Sequence, residues 1–443
     1  MKKIIKKLFP RKYIAFAHGV LSWVSALWYQ FPSRRMVVVG VTGTNGKSTT
    51  VHMIGELLRI LGQTVGYTST VEFRVGEKHW INNQKMTMLG RWQLQKLLAD
   101  MVRVGCGVAV VETSSEGLAQ NRHWGIDYDV ALCTNLTPEH IESHGSFEKY
   151  RQAKGKLFES LVRSVAKKGL GLVVPKTSIV NIDDVMTHSY SEYWAEKKAG
   201  FGTGVVRDGA PLIESTIGTA EELHPQKSGF VVEGVRFEIP FEGKHNVANA
   251  LAAIAVCRTM GYPLGDISKA FTSVPAVPGR LEVIEATRGF TILIDYAPEP
   301  ASLAALYETV DELYRSTHQR IIHVLGSCGG GRDRARRPVL GAMAGRNADV
   351  VVVTNEDPYD EDPQEIIDVV FQGALSVGKK EDENVFRVLD RREAIAKAFS
   401  LAREGDLVIL SGKGAEQAIA GPNGTYTPWN EREVALTLLK TFS

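Results

Sequence analysis

From Met36 onward, short apolar runs alternate with segments whose apolar residues recur at helical spacing. Met36–Val41, Val108–Val111 and Asp129–Cys133 read as buried strands, each ending in a polar cluster. Ser48–Leu61 and Leu89–Val104 read as the helices between them. Strands separated by helices predict a parallel sheet with crossovers, hence a doubly wound α/β core. The stretch from Leu170 to Phe241 has no clean period and predicts further strands and loops. A helix at Asn246–Met260 closes this part, and Val274–Gly279 reads as a linker.

The alternation then resumes with strands at Thr291–Ile294, Ile321–Leu325, Val350–Val353 and Leu407–Leu410. Helices such as Ala301–Tyr314 and Arg391–Arg403 lie between them. This predicts a second, smaller, Rossmann-like α/β domain. The expected division is residues 1–35 as a basic and apolar N-terminal helix, 36–278 as the central domain and 279–443 as the C-terminal domain. In open sheets of this kind, ligands sit beyond the carboxyl ends of the strands.

The N-terminus breaks the pattern. Lys2, Lys3, Lys6, Lys7, Arg11 and Lys12 precede Tyr13–Phe31, whose only ionisable groups are His18 and two tyrosines. Gly19, Ser22, Ser25 and Gln30 dilute its hydrophobicity, and Trp23, Trp28 and Tyr29 are residues that prefer a membrane interface. Trp28-Tyr29-Gln30 is not a small-residue cleavage site, which argues against a signal peptide. Three readings fit: a helix packed on the domain behind it, a helix lying on a membrane surface, and a membrane span.

Composition narrows the class. The 443 residues are 44% hydrophobic and 23% charged, which excludes a disordered or collagen-like chain. Lys+Arg 52 against Asp+Glu 50 leaves a net charge of +2 and no bulk argument for nucleic acid. Cys106, Cys133, Cys257 and Cys328 lie far apart with no C-x-x-C pair. That excludes a disulfide scaffold and a zinc ribbon and suits a reducing cytosol.

The strongest chemical signal is Gly43-Thr44-Asn45-Gly46-Lys47-Ser48-Thr49, directly after a strand and before a helix. Glycines let backbone N–H groups close on phosphate oxygens, and the helix N-terminus adds its dipole. Lys47 is then expected at the β/γ-phosphates and Ser48 at Mg²⁺. Glu112 and His140 follow two neighbouring strands, and a carboxylate and an imidazole beside such a loop suit Mg²⁺ coordination.

Thr42–Ser48, Glu112–Gly117 and Thr134–His140 together resemble the motifs of the Mur ligase family. Tyr150–Phe158, Gly243–Asn249, Pro278–Arg280, Asp295–Ala297, Gly326–Pro338 and Gly412–Glu416 extend the resemblance in the family's order. Within the family it is closest to the branch that adds the third residue, a diamino acid, to a muramyl-L-alanyl-D-glutamate acceptor. The resemblance implies ATP-dependent amide ligation through an acyl-phosphate in peptidoglycan synthesis, in the cytoplasm, with two Mg²⁺ sites. Residues 1–35 add a possible peripheral contact with the cytoplasmic membrane face.

By motif position, Gly43–Thr49, Asn246, Arg280 and Asp295 are expected at ATP. Ser48, Glu112, His140 and a carbamylated Lys154 are expected at the metals. Thr87, Ser115, Gln120 and Arg122 are expected at the acceptor. Arg332, Glu356, Asp357, Tyr359, Gly412 and Glu416 are expected at the incoming amino acid.

The chain also departs from the family pattern. Residues 1–35 stand where full-length members carry a uridine-nucleotide domain, which leaves open whether the acceptor carries UDP or another carrier. Pro298 and Ala415 replace two histidines. Tyr359 replaces the arginine that pairs the distal carboxylate of meso-diaminopimelate, and Glu356, Asp357, Asp360, Glu361 and Asp362 crowd the same loop. A distal carboxylate there would lose about 1–3 kcal/mol, which favours L-lysine or a similar diamine over meso-diaminopimelate. Two other readings stay open: a superfamily ligase of the folylpolyglutamate or amino-acid-polymer type, and a membrane-associated ATP-binding protein without ligase activity.

Overall fold

The computed structural model describes residues 11–84, 86–138, 144–167, 171–204, 214–331 and 334–441. They form two compact units, one within Met1–Glu222 and Lys227–Pro275, the other within Leu223–Gln226 and Ala276–Ser443.

The first unit opens with helix α1 (Arg11–Trp28). After it come β1 (Val37–Thr42), α2 (Lys47–Ile60), the short strands β2 (Val65–Thr68), β3 (Glu72–Val75) and β4 (Lys78–Ile81), α3 (Arg91–Arg103), β5 (Val108–Glu112), the five-residue α4 (Ser115–Ala119), β6 (Val130–Cys133) and α5 (Phe147–Arg163). The unperiodic stretch resolves into β7 (Thr177–Asn181), β8 (Lys197–Gly202), β9 (Glu214–His224), β10 (Lys227–Val232) and β11 (Val235–Ile239). Helices α6 (Lys244–Thr259) and α7 (Leu264–Phe271) follow.

Among the described residues these strands form one sheet in the order β11-β10-β9-β8-β7-β6-β1-β5-β2-β3-β4. The run from β2 to β9 across β1 is parallel, and the hairpin strands β3, β4 and β11 pair antiparallel. Every residue of β1, β5, β6 and β7 is buried, as expected for parallel strands covered on both faces by helices.

The second unit contains β12 (Glu282–Glu285), β13 (Thr291–Ile294), α8 (Pro300–Leu313), β14 (Ile321–Leu325), α9 (Arg336–Asn347), β15 (Val350–Thr354), α10 (Pro363–Leu375), β16 (Val385–Val388), α11 (Arg391–Leu401) and β17 (Leu407–Leu410). A small hairpin, β18 (Ala418–Ala420) with β19 (Tyr426–Pro428), and α12 (Glu431–Leu439) complete it. Its main sheet runs β12-β13-β17-β14-β15-β16, parallel except for β12. Hydrophobic layers cover both faces, one built on α8, α9 and α10, the other on α11 and α12. No helix of the described residues is long and apolar enough to cross a membrane.

Polar clamping at the amino ends of the strands keeps the first sheet in register. The carboxylate of Asp129 accepts from the Val38 amide at 2.7 Å and from Lys176 Nζ at 2.9 Å, and also from Lys167 Nζ. The three side chains are almost fully buried, and burial pushes Lys167 down to about 8 against the pull of Asp129. Removing the shared anion would leave two buried ammonium groups without their partner. Asp129→Ala is therefore expected to cost about 3–5 kcal/mol in chemical denaturation. A loss below about 1 kcal/mol, the range of an exposed pair, would contradict the clamp.

Candidate active site

Register brings three strand ends to one edge: Val41 pairs with Glu112 of β5, and Thr42 with Cys133 of β6. The loop Gly43–Gly46 leaves β1 there and turns into α2. Gly43 has φ +144° and Gly46 φ +78°, a region that side chains rarely adopt. Space forbids a side chain too, since a Cβ at Gly43 would lie 1.9 Å from Thr134 Oγ1 and one at Gly46 2.2 Å from Asn249 Oδ1.

The loop is stitched to the turn after β6. The Thr44 amide donates to the Asn135 carbonyl at 3.0 Å, and the Asn45 amide to Asn135 Oδ1 at 2.8 Å. Thr134 Oγ1 donates to the Asn45 carbonyl at 2.6 Å. Gly46 gives α2 no side-chain cap, so its first turn, with Lys47, Ser48 and Thr49, presents a dipole end to whatever the loop encloses. Lys47 Nζ folds back onto the Thr44 carbonyl at 2.7 Å.

Glu112, 1% exposed, lies beside this turn. Its carboxylate accepts from Ser48 Oγ at 2.9 Å, from the Thr70 amide at 2.6 Å and from Thr70 Oγ1 at 3.0 Å. All three donors are neutral. A buried carboxylate next to an uncapped helix N-terminus, sharing a hydroxyl with that helix, is a donor set suited to a hard divalent cation. Thr70 carries the arrangement on to Thr87: with the Thr70 proton on Glu112, its Oγ1 accepts from the Thr87 hydroxyl 3.0 Å away.

Lys154 reaches the same loop from α5, whose buried residues Tyr150, Ala153, Lys154, Leu157, Phe158 and Leu161 recur at helical spacing. Its Nζ donates to the Gly43 carbonyl at 2.5 Å and lies 4.5 Å from the centre of the Tyr150 ring. Tyr150 in turn bonds Thr44 Oγ1 through its hydroxyl at 3.0 Å. The neighbouring Lys156 is not a solvated lysine but donates to Asn121 Oδ1 at 2.9 Å. His140 lies outside the described residues. His144, nearby in sequence, contacts Ser115 Oγ at 3.2 Å.

Asn246 and Asn249 approach from α6. The Asn249 amide donates to Asn246 Oδ1 at 3.1 Å, and Asn249 Oδ1 accepts from Thr50 Oγ1 at 3.2 Å. At the far end of α4, Arg122 donates to Gln120 Oε1 at 2.8 and 3.1 Å and to the Met88 carbonyl at 2.6 Å. Burial, with Arg91 nearby, lowers the pKa of its guanidinium.

In the second unit, Asp295 accepts from the Leu281 and Ala297 amides, each at 2.9 Å, and Arg280 stacks 4.4 Å from the Tyr296 ring centre. Burial raises the Asp295 carboxyl against the pull of Arg280. Arg332 lies outside the described residues. The amino-acid residues that can be described correct one expectation, because the acidic run does not offer free charge to an ammonium. Asp357 and Glu416 both accept from buried Lys413 Nζ, at 3.1 and 2.5 Å. Glu361 is paired with Arg334 and Arg337.

Asp360 and Asp362 accept from the backbone amides of Asn423 and Gln364. Glu356, 2% exposed, accepts from Cys328 Sγ at 2.9 Å, and burial pushes its carboxyl up. A Cβ at Gly412 would fall 2.4 Å from the other Glu356 oxygen. Tyr359 sits at φ +53° with its amide on the Ala420 carbonyl.

Sequence reasoning missed Thr70, the second donor residue of Glu112. The signal available was a polar residue two positions past a strand, but Gly66 breaks the apolar run of β2. It also missed what steadies α2. His52, on that helix, points Nδ1 at Glu72 Oε1 (2.5 Å) and Nε2 at the Pro275 carbonyl (2.8 Å).

The comparisons with known proteins follow the same two-unit division. Residues 41–257 match the Mur ligase middle domain and residues 279–414 the Mur ligase glutamate ligase domain. The chain is 37% identical over 439 residues to a UDP-N-acetylmuramyl-tripeptide synthetase of Roseiflexus sp. (strain RS-1), covering 95% of this chain and 82% of that one. It is 35% identical to a UDP-N-acetylmuramoyl-L-alanyl-D-glutamate--2,6-diaminopimelate ligase of Geobacillus thermodenitrificans, covering 88% and 76%. A solved ligase of that diaminopimelate type overlays with TM-score 0.57 at 27% identity, over 92% of this chain and 79% of that one. Mycobacterium tuberculosis folylpolyglutamate synthase, with 17% identity and TM-score 0.64 over 89% and 92%, shares the fold.

The His52 contact makes α2 sensitive to pH. Two acceptors on its two nitrogens require the imidazolium, whose other ionisable surroundings are Glu56, Tyr67, Arg74 and His79 around Glu72. Burial alone would push the imidazole down, but the Glu72 carboxylate and the Pro275 carbonyl outweigh it, so the folded pKa lies above 6.5. A raised folded pKa gives stability that is complete below the unfolded value and is lost as pH rises through the folded one. The Tm advantage of wild type over His52→Gln is expected to be largest below pH 6.5 and to shrink on alkalinisation. An advantage that stays flat or grows with pH would contradict the imidazolium.

Proposed function

The chain belongs to the Mur ligase family of ATP-dependent ligases, and from that premise we propose that it adds a diamino acid to the glutamate carboxylate of a muramyl-L-alanyl-D-glutamate acceptor in peptidoglycan synthesis. The observation that carries the reading is the buried Glu112 carboxylate, held by neutral donors among the described residues, beside Ser48 at the uncapped start of α2. Relatives named for tripeptide synthesis and for diaminopimelate ligation support the acceptor class. The reading places the reaction in the cytoplasm, with residues 1–35 offering a peripheral contact to the membrane.

In this reading Gly43–Gly46, Lys47 and Thr49 hold the triphosphate, Asn246 the adenine, and Arg280 and Asp295 the ribose and phosphates. An acceptor carboxylate oxygen attacks the γ-phosphorus and ADP leaves. The amine of the incoming amino acid then attacks the acyl carbon, loses a proton and expels phosphate. Both steps crowd anions together, so backbone N–H groups and Lys47 offset charge that would otherwise repel the carboxylate. Ser48 and Glu112 would hold one Mg²⁺ and His140 with Lys154 a second, and bound Mg²⁺ neutralises phosphate charge. Thr87, Ser115, Gln120 and Arg122 orient the acceptor. Arg332, Glu356, Asp357, Tyr359, Gly412 and Glu416 form the amino-acid side. With the acidic run already paired, its charge no longer favours L-lysine over meso-diaminopimelate, and the proposal is a diamino acid of either kind.

Phosphate release that requires both a muramyl dipeptide acceptor and a diamino acid tests the reading. Lys47→Ala is expected to cut it by at least about 100-fold while leaving Tm unchanged. Release that ignores the acceptor, or near-wild-type turnover in that variant, would overturn it.

Lys154 is proposed to act as its carbamate, which turns a buried cation into an anion able to hold metal. Lys154→Ala is expected to lose most activity and to regain part of it when a short carboxylate such as acetate is added. Full activity in the variant, or loss that no carboxylate relieves, would leave Lys154 as an amine on the Gly43 carbonyl.

A further inference from the structure

Helix α1 is amphipathic in the inverse sense. Its buried residues recur at helical spacing and are small, Gly19, Ser22, Ser25 and Ala26, with Ile14, Ala15 and His18 half-buried beside them. Contact there is close, for a Cβ on Gly19 would meet the Trp124 ring at 2.5 Å. The large apolar residues face outward instead. Phe16 is 59% exposed, Trp23 48%, Leu27 52% and Trp28 72%, with Val20 and Val24 between them. Trp92, at the start of α3, continues the patch, its ring 6.0 Å from that of Trp28 and 45% exposed. A helix kept only to complete a core would bury these side chains and show its serines.

Charge selects what covers the patch. Residues 1–35 hold eight of the 52 Lys and Arg and none of the 50 Asp and Glu, so a chain of net charge +2 is net acidic outside this segment. Indole rings, aliphatic side chains and a basic run together suit the interface of an anionic bilayer. A second copy docked through the same segment would bring like charge to the same place.

The face lies beside the acceptor residues. Asn121, between Gln120 and Arg122, donates to the Ala15 carbonyl of α1 at 3.1 Å, and Ser25 Oγ to the Arg91 carbonyl of α3 at 3.4 Å. Residues 115–121 thus lead from Ser115, just beyond the end of β5, to α1, about 10 Å at helical rise. An extended dipeptide covers about 7 Å. An acceptor whose glutamate reaches the phosphate loop and whose peptide follows residues 115–121 would bring its sugar end toward α1.

We propose that α1 seats the enzyme on an anionic membrane surface and that its acceptor is a muramyl peptide on a lipid carrier, taken from the bilayer. The docking part stands on the helix alone, and the acceptor part rests on the ligase reading. Full-length protein is expected to co-sediment with phosphatidylcholine vesicles containing phosphatidylglycerol and not with phosphatidylcholine alone. The triple variant W23S/L27S/W28S is expected to lose about tenfold or more of that binding while keeping its Tm and its activity on a soluble muramyl dipeptide.

Wild type is expected to show a higher kcat/KM for the dipeptide on a lipid tail in the same vesicles, and the variant to lose that advantage. Equal sedimentation of variant and wild type would overturn the docking, as would self-association without vesicles that the variant abolishes. Docking without preference for the lipid-borne acceptor would overturn the carrier. Failure of the ligase reading reads differently: no amino-acid-dependent phosphate release from either acceptor, with vesicle binding intact.

Discussion

The buried carboxylate of Glu112 is the constraint around which the first unit is arranged. An anion in that position is tolerable only if donors surround it, and the fold supplies them from the segments that follow β1 and β2, the strands on either side of β5. Ser48 comes from the first turn of α2 and Thr70 from the end of β2. That in turn requires α2 to start where it does, which depends on two glycines too crowded for any Cβ and on the Asn135 turn that holds the loop from the β6 side. None of these contacts supplies positive charge, so the arrangement is complete as a fold and incomplete as an electrostatic site.

The parts of this architecture that were legible in the sequence are those where burial leaves a continuous apolar run. Thr291–Ile294, Ile321–Leu325 and Leu407–Leu410 read to the residue because central parallel strands are covered on both faces. The strands β2–β4 went unread because Gly66, Glu72, Arg74, Lys78 and His79 interrupt their apolar residues and β4 is half exposed, which removes the continuous apolar run. The strands β7–β11 were expected only as a class. The phosphate loop was legible because its constraint is local, glycines and a lysine within one turn.

Contacts across sequence distance were not. Pro275 completes His52 from 223 residues away, and Lys413 neutralises Asp357 from 56 away. A run of carboxylates therefore looked like open charge when most of it is paired or capping backbone amides.

The N-terminal helix carries both halves of its sequence ambiguity at once. It is packed on the domain, through small residues, and it also presents an apolar face, through large ones. Its packing partners are the start of α3 and the loop after α4, so the elements that flank the proposed acceptor residues also fix the orientation of that face. The glycine and the serines that dilute the hydrophobicity of the segment are what allow this close seating.

Equilibrium binding of ATP with and without Mg²⁺, in wild type and in Glu112→Gln, tests the central claim most directly. The account predicts that Mg²⁺ tightens ATP binding in wild type and that the variant loses this gain while keeping its Mg²⁺-free affinity. A gain of equal size in the variant would contradict the assignment of Glu112 to the metal and leave its burial to be explained by the fold alone.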